Sequence, residues 1–296
     1  MTGPTFPNAG TLRVGFIGLG SQGGPIARRI IDAGFPVTLW ARRPETLHPF
    51  AETSAKTAGS PAGLAAASDL VCICVTGDAD VEQVVAGEDG VLAGLVKRAG
   101  EVGMERRAGS GAVIAVHSTV HPDTCRRLAA QASARGVRMV DAPVSGGGPA
   151  AAEGRLLVMA GGEPEDVEFC RPAFSSYGDP VVHLGPVGTG QLTKLLNNVL
   201  FTAHLATAAS LLTLGQALDV DPLRLAEVIS HGSGSSFALS RVAAAGGTVG
   251  RIAAHAGGLL LKDVRLIADL AAAAGAEPGA VLTAADAALA LMDHPR

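Results

Sequence analysis

Short apolar runs alternate with amphipathic ones as far as about residue 185. Leu12–Ile17, Val37–Trp40, Leu70–Val75, Val113–Val116, Arg138–Val140 and Leu156–Met159 read as strands. The run Leu70-Val-Cys-Ile-Cys-Val75 is apolar throughout, the pattern of a parallel strand buried on both faces. Helical stretches lie between the strands, among them one from Gly23 or Gly24 to Ala33, closed by Gly34, and another over Pro122–Ala134. This alternation predicts an α/β, doubly wound sheet. Beyond Gly190 the pattern changes. Val199–Leu218 is rich in Ala and Leu with no strand signal, and Asp221–Ile229, Leu259–Ala274 and Val281–Met292 read as further helices. Asp221 before Pro222 has the form of an N-cap with proline at the first helical position. The expected organisation is a flexible N-terminus over 1–10, an α/β domain over 11–186 and an all-α domain over 187–296, with a mobile surface loop at 98–111.

Composition narrows the function classes. Hydrophobic residues make up 48% of the 296 residues and charged ones only 17%, enough for a large core. The net charge of −4 comes without a basic tract, and aromatics are 3%, so neither a phosphate-tracking surface nor a base-stacking platform is expected. No nucleic-acid partner is therefore expected. The first ten residues lack the basic start and apolar centre of a secretion signal. No apolar run reads as long and clean enough to span a bilayer. Cys72, Cys74, Cys125 and Cys170 have no zinc-site spacing, and disulfides are not expected. The expectation is a cytoplasmic protein without a metal site.

Gly18-Leu19-Gly20-Ser21-Gln22-Gly23 is a GxGxxG string that directly follows an apolar strand and opens a helix. In that context the string is a dinucleotide-binding loop. Gly18 permits the tight turn, Gly20 lets backbone approach a pyrophosphate and Gly23 allows close helix–strand packing. Taken alone, the string would also suit a plain tight turn. The end of the second strand bears on the cofactor. An NAD site usually carries an acid there for the ribose 2′-hydroxyl, whereas here Trp40 is followed by Ala41-Arg42-Arg43. Two arginines suit a 2′-phosphate, so NADP(H) is expected in preference to NAD(H), with Arg42 the leading contact and Arg43 next. The alternative is a pair of solvated loop arginines.

Asp141-Ala-Pro-Val-Ser145-Gly146-Gly147-Gly148 follows a strand at the edge where open sheets bind ligands. A hydroxyl and exposed backbone N–H groups would suit a small carboxylate, although a structural turn has the same composition. Gly188-Thr-Gly190-Gln191-Leu-Thr-Lys194-Leu-Leu-Asn197-Asn198 reads as a turn running into a helix. Lys194 and Asn198 share a face there, with Gln191 on the same side and Leu192, Leu195, Leu196 and Val199 expected to be buried. A lysine drawn against an apolar wall becomes a usable proton donor and acceptor. Without the other motifs, a solvated lysine is the simpler reading.

These segments, together with Lys262-Asp263-Val-Arg-Leu266, occur in the order found in the β-hydroxyacid dehydrogenases, which the chain resembles over nearly its whole length. That group contains 3-hydroxyisobutyrate dehydrogenase, tartronate semialdehyde reductase and the succinic semialdehyde/glyoxylate reductases; 6-phosphogluconate dehydrogenase is a more distant relative. The resemblance implies a Rossmann-type domain followed by a 6-phosphogluconate dehydrogenase-like all-α domain, and an enzyme that interconverts a small 3-hydroxy acid and its semialdehyde or keto acid. It gives Lys194 the catalytic role, Asn198 substrate and lysine contact, and Ser145, Gly146 and Gly147 the substrate carboxylate. It further implies that Val75, Thr76, Thr119 and Lys262 touch the cofactor beside the 18–23 loop, and that the protein is a homodimer or tetramer. Departures from the usual pattern include Gln22 where Met is common, Ala150-Ala151 where Gly-Ala is common, and Arg155 where Thr is common. Arg155 is read as a surface residue, or else as a second anion contact. Gly232-Ser-Gly-Ser-Ser236-Phe237 closes the pocket's far side or is only an interhelical loop. The rival readings are an imine reductase, against which Lys194 counts, and a non-catalytic dinucleotide-binding module.

Overall fold

The computed structural model describes residues 11–101 and 111–296, with side chains at 97–101 left out. The expected flexible N-terminus and residues 102–110 of the expected loop lie outside the described residues. The chain divides into two units, ending and beginning at Lys194 and Leu195.

In the first unit the elements run β1 (Val14–Ile17), α1 (Gly23–Asp32), β2 (Val37–Trp40), β3 (Lys56–Thr57), α2 (Pro61–Ala66), β4 (Leu70–Ile73), α3 (Asp78–Ala86), α4 (Val91–Glu101), β5 (Val113–Val116), α5 (Pro122–Ser133) and β6 (Arg138–Asp141). They form a six-stranded sheet in the order β3-β2-β1-β4-β5-β6, parallel throughout. The strands alternate between two cores. Phe16, Leu39, Cys72 and Ala115 pack with α1, while Ile17, Val71, Ile73 and Ile114 pack with α2, α3, α4 and α5. β1, β4 and β5 are buried at every position, as two covered faces require. Residues 98–101, expected in a loop, instead complete α4.

Two further expectations need correction. Leu156–Met159 does not join the main sheet. It lies in β8 (Leu156–Ala160), the centre of a second, three-stranded sheet between β7 (Val144–Ser145) and β9 (Gly178–His183). The connecting helices are α6 (Gly147–Ala152) and α7 (Pro164–Phe174). β7 runs antiparallel to β8, and β9 parallel to it. β6 ends at Asp141, and after Ala142-Pro143 the chain re-enters strand as β7 in the second sheet.

The long helix α8 (Thr189–Ala217) crosses from the first unit into the second, which continues with α9 (Pro222–Ser230), α10 (Phe237–Ala244), α11 (Gly250–Ala273) and α12 (Gly279–Leu291). Asp221 caps α9, accepting from the Arg224 amide at 2.8 Å, with Pro222 in its first turn. Leu205, Leu212, Leu239, Val242, Leu260, Val264, Ile267 and Leu289 are buried. The second correction concerns α8, which is long and apolar enough by composition alone to cross a membrane, contrary to expectation. Half of its most apolar window is buried in the protein, as in the core helix of a globular domain.

Candidate active site

The loops at the carboxyl ends of β1, β4, β5 and β6 are tied to one another. After β1, Gly18 takes φ +97°, and a Cβ there would run into the Cys74 carbonyl of the next loop. Gly23 lies equally tight on the Gly18 carbonyl, which brings α1 down onto the strand. Gly20 differs, because a Cβ would meet nothing within 4 Å. No packing constraint among the described residues demands glycine there; the space above the loop suits a phosphate approaching the backbone. Beside it, the buried Nε2 of Gln22 has no acceptor among the described residues. An unmatched donor next to a glycine-lined cradle fits an anionic pyrophosphate.

Val75 and Thr76 follow β4, and the Val75 amide donates to Ser118 Oγ at 2.8 Å, which fastens this loop to the one carrying Thr119. His117, at the start of that loop, is 3% exposed. Its Nδ1–H donates to the Ala142 carbonyl at 2.6 Å and its Nε2 accepts from the Tyr177 hydroxyl at 3.2 Å. Phe16, Phe174 and Tyr177 surround the ring. Burial lowers its pKa to about 4, so the imidazole is neutral at physiological pH. Ser145 lies on β7 and is half-buried, while Gly146 and Gly147 are exposed at positive φ. A Cβ on Gly148 would come within 2.9 Å of the Ser21 carbonyl oxygen, so the start of α6 rests on the GxGxxG loop. The expected carboxylate loop and the expected pyrophosphate loop are therefore neighbours.

Lys194 is buried in the early turns of α8. The start of that helix is fastened to the same sheet edge. Asp141 accepts from the amides of Gly188 (2.6 Å) and Gln191 (2.7 Å). The Gln191 side chain donates to the Ser118 carbonyl (2.8 Å) and accepts from the Val120 amide (3.0 Å). Leu195 and Val199 are buried as expected, but Leu196 is 53% exposed, because it faces away from the buried side of the helix.

In the second unit, Asn198 Nδ2 donates to Asp263 Oδ2 at 2.6 Å. The Lys262 ammonium lies 2.9 Å from Oδ1 of the same buried carboxylate, close enough to pair though off its hydrogen-bonding direction. The predicted Asn198 and Lys262 thus share one acid. Elsewhere, Arg42 pairs with Asp80 at 3.0 Å and Arg43 is exposed at the start of a 3-10 turn. Arg155 pairs with Glu153 on the surface. The Ser233–Ser236 loop and α8 residues His204, Thr207 and Leu211 line a groove of about 340 Å³. The four cysteines are free thiols. Burial pushes the Cys74 thiol up to about 12, which leaves it inert.

Three groups that tie these loops together had no role assigned from the sequence: the Asp141 carboxylate, the Ser118 hydroxyl and the Gln191 amide. Asp141 alone carried a signal, as an acid ending an apolar strand.

A parallel sheet with a glycine cradle at its carboxyl edge, followed by a helical domain, defines a nicotinamide-dinucleotide-binding oxidoreductase. Residues 13–185 match the NAD-binding domain of 6-phosphogluconate dehydrogenase, and residues 188–293 the NAD-binding domain of NADP-dependent 3-hydroxyisobutyrate dehydrogenase. The chain belongs to the β-hydroxyacid dehydrogenase family. It is 35% identical to the oxidoreductase Rv0770 of Mycobacterium tuberculosis over 221 residues, 75% of this chain and 70% of that protein. It is 34% identical to the 3-hydroxyisobutyrate dehydrogenase of Pseudomonas aeruginosa over 227 residues, 77% of this chain and 72% of the relative. The solved 3-hydroxyisobutyrate dehydrogenase of Mycobacterium tuberculosis with L-serine has a TM-score of 0.78 at 25% identity, covering 96% of this chain and 94% of that one.

Proposed function

We propose that this cytoplasmic enzyme interconverts a small 3-hydroxy acid and its semialdehyde or keto acid, prefers NADP(H), and uses Lys194 as general acid and base. The observation that carries this reading is a buried lysine on a helix whose first turn is hydrogen-bonded to the loops around the cofactor cradle. The cofactor supplies hydride in reduction and takes it in oxidation. Gly18, Leu19, Gly20, Ser21, Gln22 and Gly23 would hold its pyrophosphate, with Val75, Thr76, Thr119 and Lys262 as further contacts. Lys194, as the ammonium, gives a proton to the substrate oxygen as negative charge develops there; as the amine it takes that proton back in oxidation. Ser145, Gly146 and Gly147 grip the substrate carboxylate and Asn198 adds a polar contact, so the reacting carbon is held in one orientation. A homo-oligomer fits the exposed apolar stripe on α8, where Leu196, Leu200, Leu211 and Leu214 are 40–55% exposed and fall along one side at helical spacing.

A panel of small 3-hydroxy acids and their semialdehydes, assayed with NADP(H) and NAD(H), tests the reading. Turnover of a cyclic imine with none of any hydroxy acid or semialdehyde would favour the rival reductase chemistry. The cofactor preference has its own test. The Arg42 guanidinium is 78% exposed, free to turn from Asp80 toward a 2′-phosphate. Arg42→Ala is expected to lower kcat/KM for NADPH by about ten- to a hundredfold, the worth of a charge-assisted hydrogen bond, and to leave NADH within twofold. Equal kcat/KM for the two cofactors in the unaltered enzyme would sink the preference.

A further inference from the structure

Asp141 is fully buried, yet its carboxylate is committed to a helix start 47–50 residues away. Its backbone is pinned as well. The Asp141 amide donates to the Gly161 carbonyl at 2.9 Å, and its carbonyl accepts from the Gly161 amide at 2.7 Å. The space around the carboxylate is shaped for it: a Cβ on Gly161 would run into Oδ1, and one on Gly190 would come within 2.8 Å of Oδ2. Burying an ionised carboxylate costs several kcal/mol before any interaction offsets it. A serine or aspartate next to the helix start would cap α8 without that cost. The distant, buried acid adds something a local cap cannot, a rigid connection between two parts of the chain. One part is the strand that runs directly into Ala142–Gly147. The other is α8, on which Lys194 follows Gln191 by three residues, about 4.5 Å of helical rise. Gln191 makes the second connection, to the 118–120 segment beside Thr119.

We propose that Asp141 is a positioning residue: its carboxylate, with the Gln191 amide as partner, fixes Lys194 relative to the Ser145 loop and the Thr119 loop. This rests on the reading of Lys194 as the proton-transfer group. Asp141→Asn replaces one acceptor oxygen with an NH₂ that faces a backbone N–H, so one of the two bonds is lost in a nearly isosteric side chain. Gln191→Met removes the second connection at similar volume.

Both variants are compared with Lys194→Ala for kcat, substrate KM and cofactor Kd, the last by fluorescence titration of folded protein. The expected result is a ten- to hundredfold fall in kcat for Asp141→Asn and a smaller fall for Gln191→Met, with cofactor Kd within twofold and substrate KM within threefold. A role confined to folding would lower the folded fraction and leave kcat per cofactor-binding molecule unchanged, and that outcome overturns the proposal. If Asp141→Asn does not fold, the Gln191→Met result decides alone. Failure of both to yield cofactor-binding protein also overturns it, by assigning the joint to folding. If Lys194→Ala itself keeps its turnover, the reading of Lys194 fails instead, whatever the other two show.

Discussion

Lys194→Ala is expected to lose on the order of 10²–10⁴ in kcat while cofactor affinity stays within about twofold. The loss corresponds to about 3–5 kcal/mol of transition-state stabilisation. The size follows from the chemistry: hydride arriving at a carbonyl carbon leaves an alkoxide, and without an acid in place that charge must form unprotonated. Binding should survive, because the 18–23 loop is shaped by its own backbone and the Val75–Ser118 connection, and Ser118 meets the start of α8 through the Gln191 side chain, which Lys194→Ala leaves in place. Steady-state kinetics beside a cofactor titration separate the two effects. Retained turnover at the level of the unaltered enzyme removes Lys194 from the mechanism. A parallel loss of cofactor binding would recast it as a structural residue.

Much of this site was legible in the sequence because it depends on local rules. β2 and β5 have the bounds that their apolar runs predict, and the GxGxxG string lies between β1 and α1 where strand and helix patterns meet. Asp221 and Pro222 mark the start of α9. What escaped depends on distance. β7 is two residues long, between a proline and a run of glycines, and β9 is mostly exposed, so neither offers a periodic signal. α11 begins at Gly250, well before its expected start at Leu259, because its glycine-rich first half lacks the apolar stripe of its second. The sequence also hid the partners of its charged residues. Arg42 reads as a free cation for a phosphate until Asp80, 38 residues on, is seen beside it. Asp141 reads as the first letter of a loop motif until the first turn of α8 is found bonded to it.

Two buried groups, His117 and Asp141, make the first unit's stability respond to acid in opposite directions. His117 has its pKa lowered by burial to about 4, although the Ala142 carbonyl favours its charged form. Between pH 4 and about 6.5 the unfolded chain therefore carries a proton on this residue that the folded chain does not, so its contribution to stability rises with pH. Asp141 is shifted the other way. Burial raises its pKa to about 6, against the opposing pull of the Gly188 and Gln191 amides and of Arg126. From about pH 4 to 6 the folded chain holds the extra proton, so stability falls as pH rises. Each effect is on the order of 3 kcal/mol, and over this window they nearly cancel. Removing either group should expose the other. Relative to the unaltered protein, Asp141→Asn is expected to gain stability from pH 4 to pH 6 by about 3 kcal/mol, and His117→Phe to lose about as much. Trp40, the single tryptophan, sits on β2 of the same unit, so urea unfolding followed by its fluorescence reports on the unit that holds both groups. Difference profiles that are flat, or that slope the same way, would show that the two groups do not titrate as opposed buried charges.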